Sequence, residues 1–205
     1  MYPVFLQLEN RKCVVFGGGR VAARKVQALL QAGANVTVVS PNLSSDLFTL
    51  WTEGKITCHY RPYHPGDLRG FVLAISATND SDVNRRIFTE ARETGVWVNV
   101  VDIPELCDFY VPAVVRRGDL QIAVSTNGKF PALAREIRKW LEGEIDESFA
   151  EILHLAATIR QNLKHRYADP KQRQKIIDEV LLPQILDGLK GGFSVQKRKE
   201  LSKWI

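Results

Sequence analysis

The sequence has few cysteines, no long apolar run and little excess charge of either sign. Its three cysteines, Cys13, Cys58 and Cys107, are far apart and form no CxxC or Cys/His pair, which argues against a disulfide framework or a structural zinc site. No apolar run approaches about 18 residues, and the first twelve residues (MYPVFLQLENRK) lack the apolar region of a secretion leader. We therefore expect a reduced, cytoplasmic protein without a membrane segment.

The charge balance is mild, with 28 basic and 23 acidic residues and a net charge of +5. Such an excess suits an anionic small molecule or weak nucleic-acid contact and does not choose between them. The basic stretch Lys197, Arg198, Lys199 and Lys203 has neither a helix-turn-helix signature nor interleaved aromatics, so we expect a solvated helix face and no nucleic-acid partner. The four histidines are scattered, and the sequence therefore predicts no preformed metal site.

A strand, a glycine-rich turn and a helix follow one another near the start of the chain. The apolar run Lys12–Phe16 ends at three glycines, and a helical pattern begins at Val21 and stops at Gly33. A second apolar run, Asn35–Val39, follows. Together these segments predict a βαβ unit of roughly 30 residues.

Three more apolar runs predict the remaining strands of a sheet. They are Ile56–Tyr60, Phe71–Ala77 and Val96–Val101, and a helix over about 82–94 precedes the last of them. The run Phe71–Ala77 scarcely alternates, as is typical of a strand buried on both faces. The alternation of strands and helices predicts an α/β fold with a Rossmann-like, doubly wound parallel sheet.

The pattern changes after residue 104. Two short runs, Val111–Val115 and Leu120–Ser125, flank an RRGD turn and predict a β-hairpin, and a helix from about Pro131 to Glu142 follows. From residue 146 the pattern is helical, with breaks near 169–170 and 191–192. We therefore expect three parts, a nucleotide-binding domain, a short connecting segment that dimerises and a helical C-terminal domain, over residues 1–110, 111–145 and 146–205.

The glycine turn has the spacing of a dinucleotide-binding loop, Gly17-x-Gly19-x-x-Ala22, with Gly18 between the outer glycines. The first glycine allows the tight turn, the second lets the pyrophosphate approach, and a small third residue lets the helix pack on the strand. Such a motif alone is weak, and a glycine turn that merely packs is the alternative. Here it follows a strand and opens a helix, so we expect a dinucleotide at the helix start.

The end of the second predicted strand lacks one element of the dinucleotide fingerprint. An acidic residue there would bind the ribose 2′-hydroxyl, but the chain has Ser40, Pro41 and Asn42. No arginine stands there to bind a 2′-phosphate. The sequence therefore favours NAD over NADP.

Polar residues follow two further strands of the same predicted sheet. Thr78 and Asn79 follow the fourth strand, and Asp102 follows the fifth. Because ligands of open α/β sheets bind beyond the carboxyl ends of the strands, these residues and the glycine loop are expected to line one crevice. Asp102 can accept a proton there, and partial burial would strengthen this weak base. The alternative is a turn aspartate ahead of Pro104.

A polar turn precedes the helix that begins near Pro131. Its residues are Ser125, Thr126, Asn127, Gly128 and Lys129. Exposed N–H groups at such a helix start can bind carboxylates, and plain capping of the helix is the alternative. Nearby arginines could add charge pairing, although most such arginines are solvated; they are Arg116, Arg117, Arg135 and Arg138.

Seven segments form a combination more specific than the glycine loop alone. They are PVFLQL (3–8), GGGRVAARKV (17–26), AGANVTVVSP (32–41), SATND (76–80), NVVD (99–102), CDFYVPAVVRRGDLQIAVSTNGK (107–129) and PALAREIRKWLE (131–142). In this combination the chain resembles the precorrin-2 dehydrogenase/sirohydrochlorin ferrochelatase family, the dehydrogenase–chelatase part of siroheme synthase. The resemblance is dense to about residue 145 and thin beyond it. The length resembles the stand-alone form without the methyltransferase domain fused in some relatives.

The resemblance implies an enzyme of siroheme synthesis that oxidises precorrin-2 to sirohydrochlorin with NAD⁺. In many members Fe²⁺ is then inserted into the product. It also implies a homodimer whose elements exchange between subunits.

By motif position, the resemblance implies that Arg20–Val21 and Pro41–Asn42 contact NAD. It implies that Asp102 serves both reactions and that Thr126 borders the tetrapyrrole. Phe130 departs from the pattern, because the family usually has a small hydroxyl residue before this proline.

Three questions stay open from the sequence. The chain could be a dehydrogenase only, with a separate chelatase, or a non-catalytic NAD-sensing module. If it is a chelatase, its metal could be cobalt instead of iron.

Overall fold

The computed structural model describes residues 1–191, 201 and 203, and it divides the chain into two compact units, residues 1–111 and 112–205. The predicted basic stretch falls mostly outside the described residues, which include only Lys203 of its four members. The break predicted at Gly192 lies outside them as well. The further division of the second unit into a dimerisation segment and a helical domain stays a prediction.

The first unit is built on a five-stranded parallel sheet, which confirms the predicted Rossmann-like fold. The spatial order of the strands is β3-β2-β1-β4-β5, and every neighbouring pair is parallel. The strands are β1 (Lys12–Phe16), β2 (Asn35–Val39), β3 (Thr57–His59), β4 (Leu73–Ser76) and β5 (Trp97–Val100).

Three helices cover the two faces of this sheet: α1 (Arg20–Gln31), α2 (Ser45–Thr52) and α3 (Ser81–Thr94). Successive β1 residues point to opposite faces, so Cys13 and Val15 pack with α1 and α2, while Val14 and Phe16 pack with α3. Helix α2 was not predicted, because it is short and buries fully only Leu47, which leaves a weak periodic signal.

The second unit consists of a hairpin followed by helices. Strand β6 (Ala113–Arg117) pairs antiparallel with β7 (Leu120–Val124), as predicted. The helices are α4 (Pro131–Glu144), α5 (Ser148–Arg166), α6 (Pro170–Ile176) and α7 (Leu182–Gly191), with a π-helical turn over Ile177–Leu181 between the last two. Ile159, Leu163, Leu181 and Leu201 form a small buried core.

Arg117 ties the hairpin to the end of α4. Its Nε donates to the carbonyl of Ile145 at 2.7 Å, and its Nη2 donates to that of Glu142 at 2.9 Å. The last carbonyls of a helix lack intrahelical donors, so this guanidinium satisfies groups that would otherwise stay unpaired. Arg117 therefore joins the hairpin to the end of α4 and is not free to bind a substrate carboxylate.

Candidate dinucleotide site and the segment around Asp102

The glycine loop and the segments after β4 and β5 meet at the carboxyl edge of the sheet. Strands β1 and β4 are neighbours, and β5 lies beside β4. Backbone hydrogen bonds continue this order beyond the strands, because Ala77 N donates to Phe16 O at 2.8 Å and Val101 N donates to Ser76 O at 2.9 Å. The chain leaves β1 and β4 in opposite directions along the sheet, so a topological switch point lies here, where such folds bind ligands.

The three consecutive glycines are needed for three different reasons. Gly17 has a φ of +111°, and a Cβ there would lie 2.4 Å from the carbonyl oxygen of Ala77. A Cβ on Gly18 would lie 1.7 Å from the carbonyl oxygen of Asn42, whereas a Cβ on Gly19 would meet no atom within 4 Å. The chain's own backbone fills the space beside Gly17 and Gly18, and only the space beside Gly19 is open to a ligand.

The start of α1 offers unpaired N–H groups at this open position. Gly19 caps the helix without a side-chain acceptor, and Ala23 N is the first to donate back, to Gly19 O at 3.0 Å. Helix α3, by contrast, is capped by Asp80, which accepts from Asp82 N and Val83 N. The first turn of α1 is therefore suited to hold the pyrophosphate of a dinucleotide, and the residues present fit that group.

Ser40 holds the loop after β2 in place. Its side chain is buried; its Oγ donates to Asn42 O at 2.6 Å and lies 3.3 Å from Asn42 N. The Ser40 hydroxyl is therefore engaged by its own loop, and cofactor binding at Ser40 stays a prediction. Pro41 and Asn42 are exposed at the edge, next to Gly18.

Asn84 anchors the loop that carries Thr78 and Asn79. Its Oδ1 accepts from Ser76 Oγ at 2.6 Å and lies 3.2 Å from Thr78 Oγ1, while its Nδ2 donates to Thr78 O at 3.2 Å. This residue was not singled out from the sequence. Its position in the sequence could have indicated this role, because Asn84 lies on the same face of α3 as the buried residues Ile87 and Ala91, and a buried polar side chain needs hydrogen-bond partners. Asn79 remains exposed at the carboxyl edge.

Asp102 lies in a tight turn directly after β5, with a φ of +64°. The turn is held by a hydrogen bond from Ile103 N to Val100 O at 3.2 Å. The expectation that the Asp102 side chain is partly buried is wrong, because it is exposed. An aspartate in the left-handed region costs free energy that the surrounding hydrogen bonds must offset, so the position of this carboxylate is imposed by the fold.

The segment after this turn is tied back to β5. Asn99 Nδ2 donates to Phe109 O at 2.8 Å, and the Cys107 thiol lies 3.2 Å from Val100 O and 3.3 Å from Ile103 O. Asp108 accepts from Val98 N at 3.0 Å and pairs with Arg92 at 2.7 Å. Burial raises the pKa of Cys107, which therefore acts here as a neutral donor.

The predicted substrate turn, residues 125–129, belongs to the second unit. Asn127 and Gly128 have φ values of 56° and 75°. Some of its N–H groups are used within the turn, because Asn127 N donates to Ser125 Oγ at 3.2 Å, and Phe130 N, just after the turn, donates to Thr126 Oγ1 at 3.2 Å. Lys129 N donates to Thr126 O. The turn therefore offers fewer free N–H groups than expected, and Lys129 keeps an exposed side chain.

The basic side chains near this turn differ in their availability. Arg138 pairs with Glu142, and Arg135 pairs with Glu136 at 3.4 Å. The side chain of Arg116 is exposed and, within the described part of the chain, has no ion pair.

Within residues 1–191, 201 and 203 no cluster of three or more His, Cys, Asp or Glu side chains is arranged to hold a metal ion. Over the same residues, no helix combines the length and apolarity that a membrane crossing requires.

Comparison with known proteins agrees with this geometry. Residues 4–113 match the family described as putative NAD(P)-binding, and residues 117–144 match the family described as sirohaem biosynthesis protein central. The chain is 42% identical over 190 residues to a siroheme synthase of Methylobacillus flagellatus, covering 91% of this chain and 41% of that protein. It is 36% identical to a siroheme synthase of Chromobacterium violaceum, covering 100% of this chain and 43% of that protein. The chain thus spans about two fifths of the length of these curated relatives.

A solved structure titled SirC, precorrin-2 dehydrogenase, is similar along its whole length, with a TM-score of 0.82 and 28% sequence identity over 99% of this chain and 98% of that one. The prediction of a nicotinamide dinucleotide cofactor is confirmed by the family that covers the first unit. The chain therefore belongs to the putative NAD(P)-binding family, and its predicted membership of the precorrin-2 dehydrogenase/sirohydrochlorin ferrochelatase family is confirmed.

Proposed function

We propose that this chain oxidises precorrin-2 to sirohydrochlorin with NAD⁺ in siroheme biosynthesis. The observation that carries the proposal is the arrangement at the carboxyl edge, where the open helix start at Gly19 and the exposed carboxylate of Asp102 follow strands of one parallel sheet. The names of the siroheme synthases and of the precorrin-2 dehydrogenase similar to this chain support the choice of substrate.

Residues from three loops bind the cofactor in this proposal. The backbone at Gly17–Gly19 and the first-turn N–H groups of Arg20 and Val21 hold the pyrophosphate, while Pro41–Asn42 and Thr78–Asn79 line the edge on either side. NAD⁺, when bound, accepts the hydride that leaves the substrate. The segment 40–45 (SPNLSS) contains no basic residue that would pair with a 2′-phosphate, which supports NAD over NADP.

Asp102 acts as the proton acceptor. Converting precorrin-2 to sirohydrochlorin removes one hydride and one proton, and the proton needs a base beside the reacting carbon or nitrogen. The Asp102 carboxylate is exposed at the end of β5, so a bulky macrocycle can reach it without a rearrangement of the core. We propose that the same carboxylate takes a pyrrole proton if Fe²⁺ is inserted afterwards, with Fe²⁺ as a substrate.

The turn of residues 125–129 binds the substrate's carboxylates in this proposal. Precorrin-2 carries eight carboxylates, so cationic side chains contribute more than the few free N–H groups of this turn. The exposed side chains of Lys129 and Arg116 supply that charge. Phe130 is also exposed and presents an aromatic face where the family usually has a small hydroxyl residue.

A second copy of the chain is the partner proposed for the second unit. Helix α4 and the residue before it carry an apolar stripe at spacings of three and four, formed by Phe130, Leu133, Ile137 and Trp140. Phe130, Leu133 and Trp140 are 60%, 46% and 63% exposed. A stripe of this size on an otherwise polar helix is suited to packing against its own copy in a homodimer.

The test is a direct assay with purified protein, precorrin-2 and NAD⁺, followed by the absorbance of sirohydrochlorin and of NADH. D102N is expected to lower kcat by about 100-fold or more, because a general base typically contributes that much, while the Kd for NAD⁺ stays within about twofold. E105Q is the matched control, an exposed carboxylate on the same segment, and it should retain full activity.

Two results would contradict the proposal. If native protein binds NAD⁺ but forms no sirohydrochlorin, the chain is a binding module and not a dehydrogenase. If D102N turns over at the native rate, the base is another group. Addition of Fe²⁺ to the product then distinguishes a dehydrogenase that is also a chelatase from a dehydrogenase only. Without chelatase activity, iron is inserted no faster than in the uncatalysed reaction.

A further inference from the structure

The thiol of Cys107 bridges the turn that presents Asp102. Its Sγ lies 3.2 Å from the carbonyl oxygen of Val100 and 3.3 Å from that of Ile103. Burial raises the pKa of Cys107, so the group stays a neutral thiol and shares its single proton between the two carbonyl oxygens. Asp102 therefore lies between two backbone groups that one side chain holds together.

Asn99 holds the sulfur from the side of β5. Its side chain is buried, and its Nδ2 donates to the carbonyl oxygen of Phe109 at 2.8 Å and to the sulfur of Cys107 at 3.5 Å. A buried amide needs such partners, because leaving its N–H groups unpaired costs free energy. The amide and the thiol therefore form one chain of contacts that runs from β5 to both sides of the Asp102 turn.

The rest of this segment is fixed to β5 independently of the thiol. Strand β5 lies at an edge of the sheet, and Asp108 pairs with it much as a neighbouring strand would. Asp108 N donates to Val98 O at 2.8 Å, and Val98 N donates to the Asp108 carboxylate at 3.0 Å. Phe109 also packs against the apolar cluster on the α1 side of the sheet. Loss of the Cys107 thiol should therefore loosen the turn without releasing the whole segment.

The backbone of the turn needs this support. Asp102 has a φ of +64°, in the left-handed region that is unfavourable for most residues other than glycine. The hydrogen bond from Ile103 N to Val100 O, at 3.2 Å, and the Cys107 thiol both act on this turn directly. A displacement of about 1 Å in a catalytic group can lower turnover about 100-fold. The conformation of this turn therefore bears on the rate of the reaction.

We propose that Cys107 and Asn99 are positioning residues for the oxidation: they hold the turn in the conformation that presents the Asp102 carboxylate to the substrate. The inference rests on the proposed role of Asp102 as the base. Neither side chain takes part in the proton transfer itself. Their loss should therefore lower kcat while the binding of NAD⁺ and of substrate is kept.

The first experiment compares kcat, KM for precorrin-2 and Kd for NAD⁺ in native protein, C107A, C107S and the control C58A. C107A is expected to lower kcat about tenfold with both binding constants within about twofold, because the base is misplaced while the sites are intact. C107S should recover most of the loss, since its hydroxyl keeps a donor. Cys58 is a half-buried thiol on β3, the opposite edge strand, so C58A should match native protein.

The second experiment introduces C107A into D102N. Because Cys107 acts through Asp102 in this proposal, C107A should change the residual kcat of D102N by less than about twofold. Hydrogen exchange in C107A should become about tenfold faster at the Ile103 amide, which lies in the turn. It should stay unchanged at the Val98 amide, which Asp108 holds.

N99A extends the test to the amide. It should lower kcat at least as much as C107A, and C107A in the N99A background should add less than about twofold, because both act on the same turn. N99A also leaves the Phe109 carbonyl without this donor, which should lower the melting temperature. The comparison of C107A with C107S decides the inference where too little N99A folds.

A packing role for Cys107 predicts a different result. C107A and C107S would then lower the melting temperature while the kcat of the fraction that binds NAD⁺ stays at the native value, and this result overturns the inference. An equal loss of kcat from C107A in the native and D102N backgrounds overturns it as well, since Cys107 would then act apart from Asp102. Native turnover in D102N alone is a failure of the proposed base and removes the inference with it, and it is measured without any change at Cys107.

Discussion

The two units of this chain bury their apolar residues to different degrees. In the first unit the β1 residues Cys13, Val14, Val15 and Phe16 are fully buried, because helices cover both faces of the sheet. In the second unit the described residues form a small buried core on α5 and the helical segments that follow it, and the apolar stripe of α4 stays exposed. A parallel sheet completes its core within one chain, whereas the second unit leaves a surface suited to a second copy.

The largest expected effect comes from the glycine loop of the first unit. G18A places a methyl group 1.7 Å from the Asn42 carbonyl oxygen, so the loop must shift, at a cost of about 1–3 kcal/mol or more. We expect a lower melting temperature and no measurable NAD⁺ binding by calorimetry.

G19A is the matched variant. It meets no atom of the chain and adopts a φ of −84°, which alanine accepts. The melting temperature should therefore stay unchanged while the Kd for NAD⁺ rises about tenfold or more, because the methyl group occupies the path of the pyrophosphate. If both variants lose stability equally, the assignment of the open position to the ligand is wrong.

The next effect concerns the exposed stripe of the second unit. W140E should raise the dissociation constant of the proposed dimer by about 100-fold in sedimentation equilibrium, because the dimer would bury Trp140 as an aromatic anchor and the variant replaces it with a charge. The binding of NAD⁺ to the first unit should not change. R135E places a glutamate on the opposite face of α4 and serves as the control; a dimer equally weakened by both variants would contradict the stripe as the interface.

The smallest expected effect is local to the second unit. R117M removes the hydrogen bonds from the guanidinium to Glu142 and Ile145, which should destabilise the end of α4 by about 2 kcal/mol. Hydrogen exchange of the α4 amides should become faster, with no change in the amides of β1. R117K keeps the charge but not the planar fork, so it should behave more like R117M than like native protein.

Sequence patterns were sufficient for the sheet and for the location of the dinucleotide loop. Five apolar runs became five strands with boundaries close to those expected, because burial on both faces leaves a signal in the sequence itself. The hairpin and α4 followed from their turn residues in the same way. The sequence could not show that Ser40 is buried in its own turn, since the Ser-Pro-Asn segment looks the same in an exposed loop.

The order of the segments and their local periodicity were enough to predict that a glycine loop, two polar segments and an aspartate follow parallel strands. Order and periodicity depend only on residues close together in the sequence. Only the tertiary structure decided which glycine leaves room for a ligand, since the carbonyl groups that close off the other two come from residues 42 and 77. It also decided that Asp102 is exposed and that Arg117 caps a distant helix. Each of these depends on contacts between residues far apart in the chain, which burial and hydrogen bonding select only once the fold has formed.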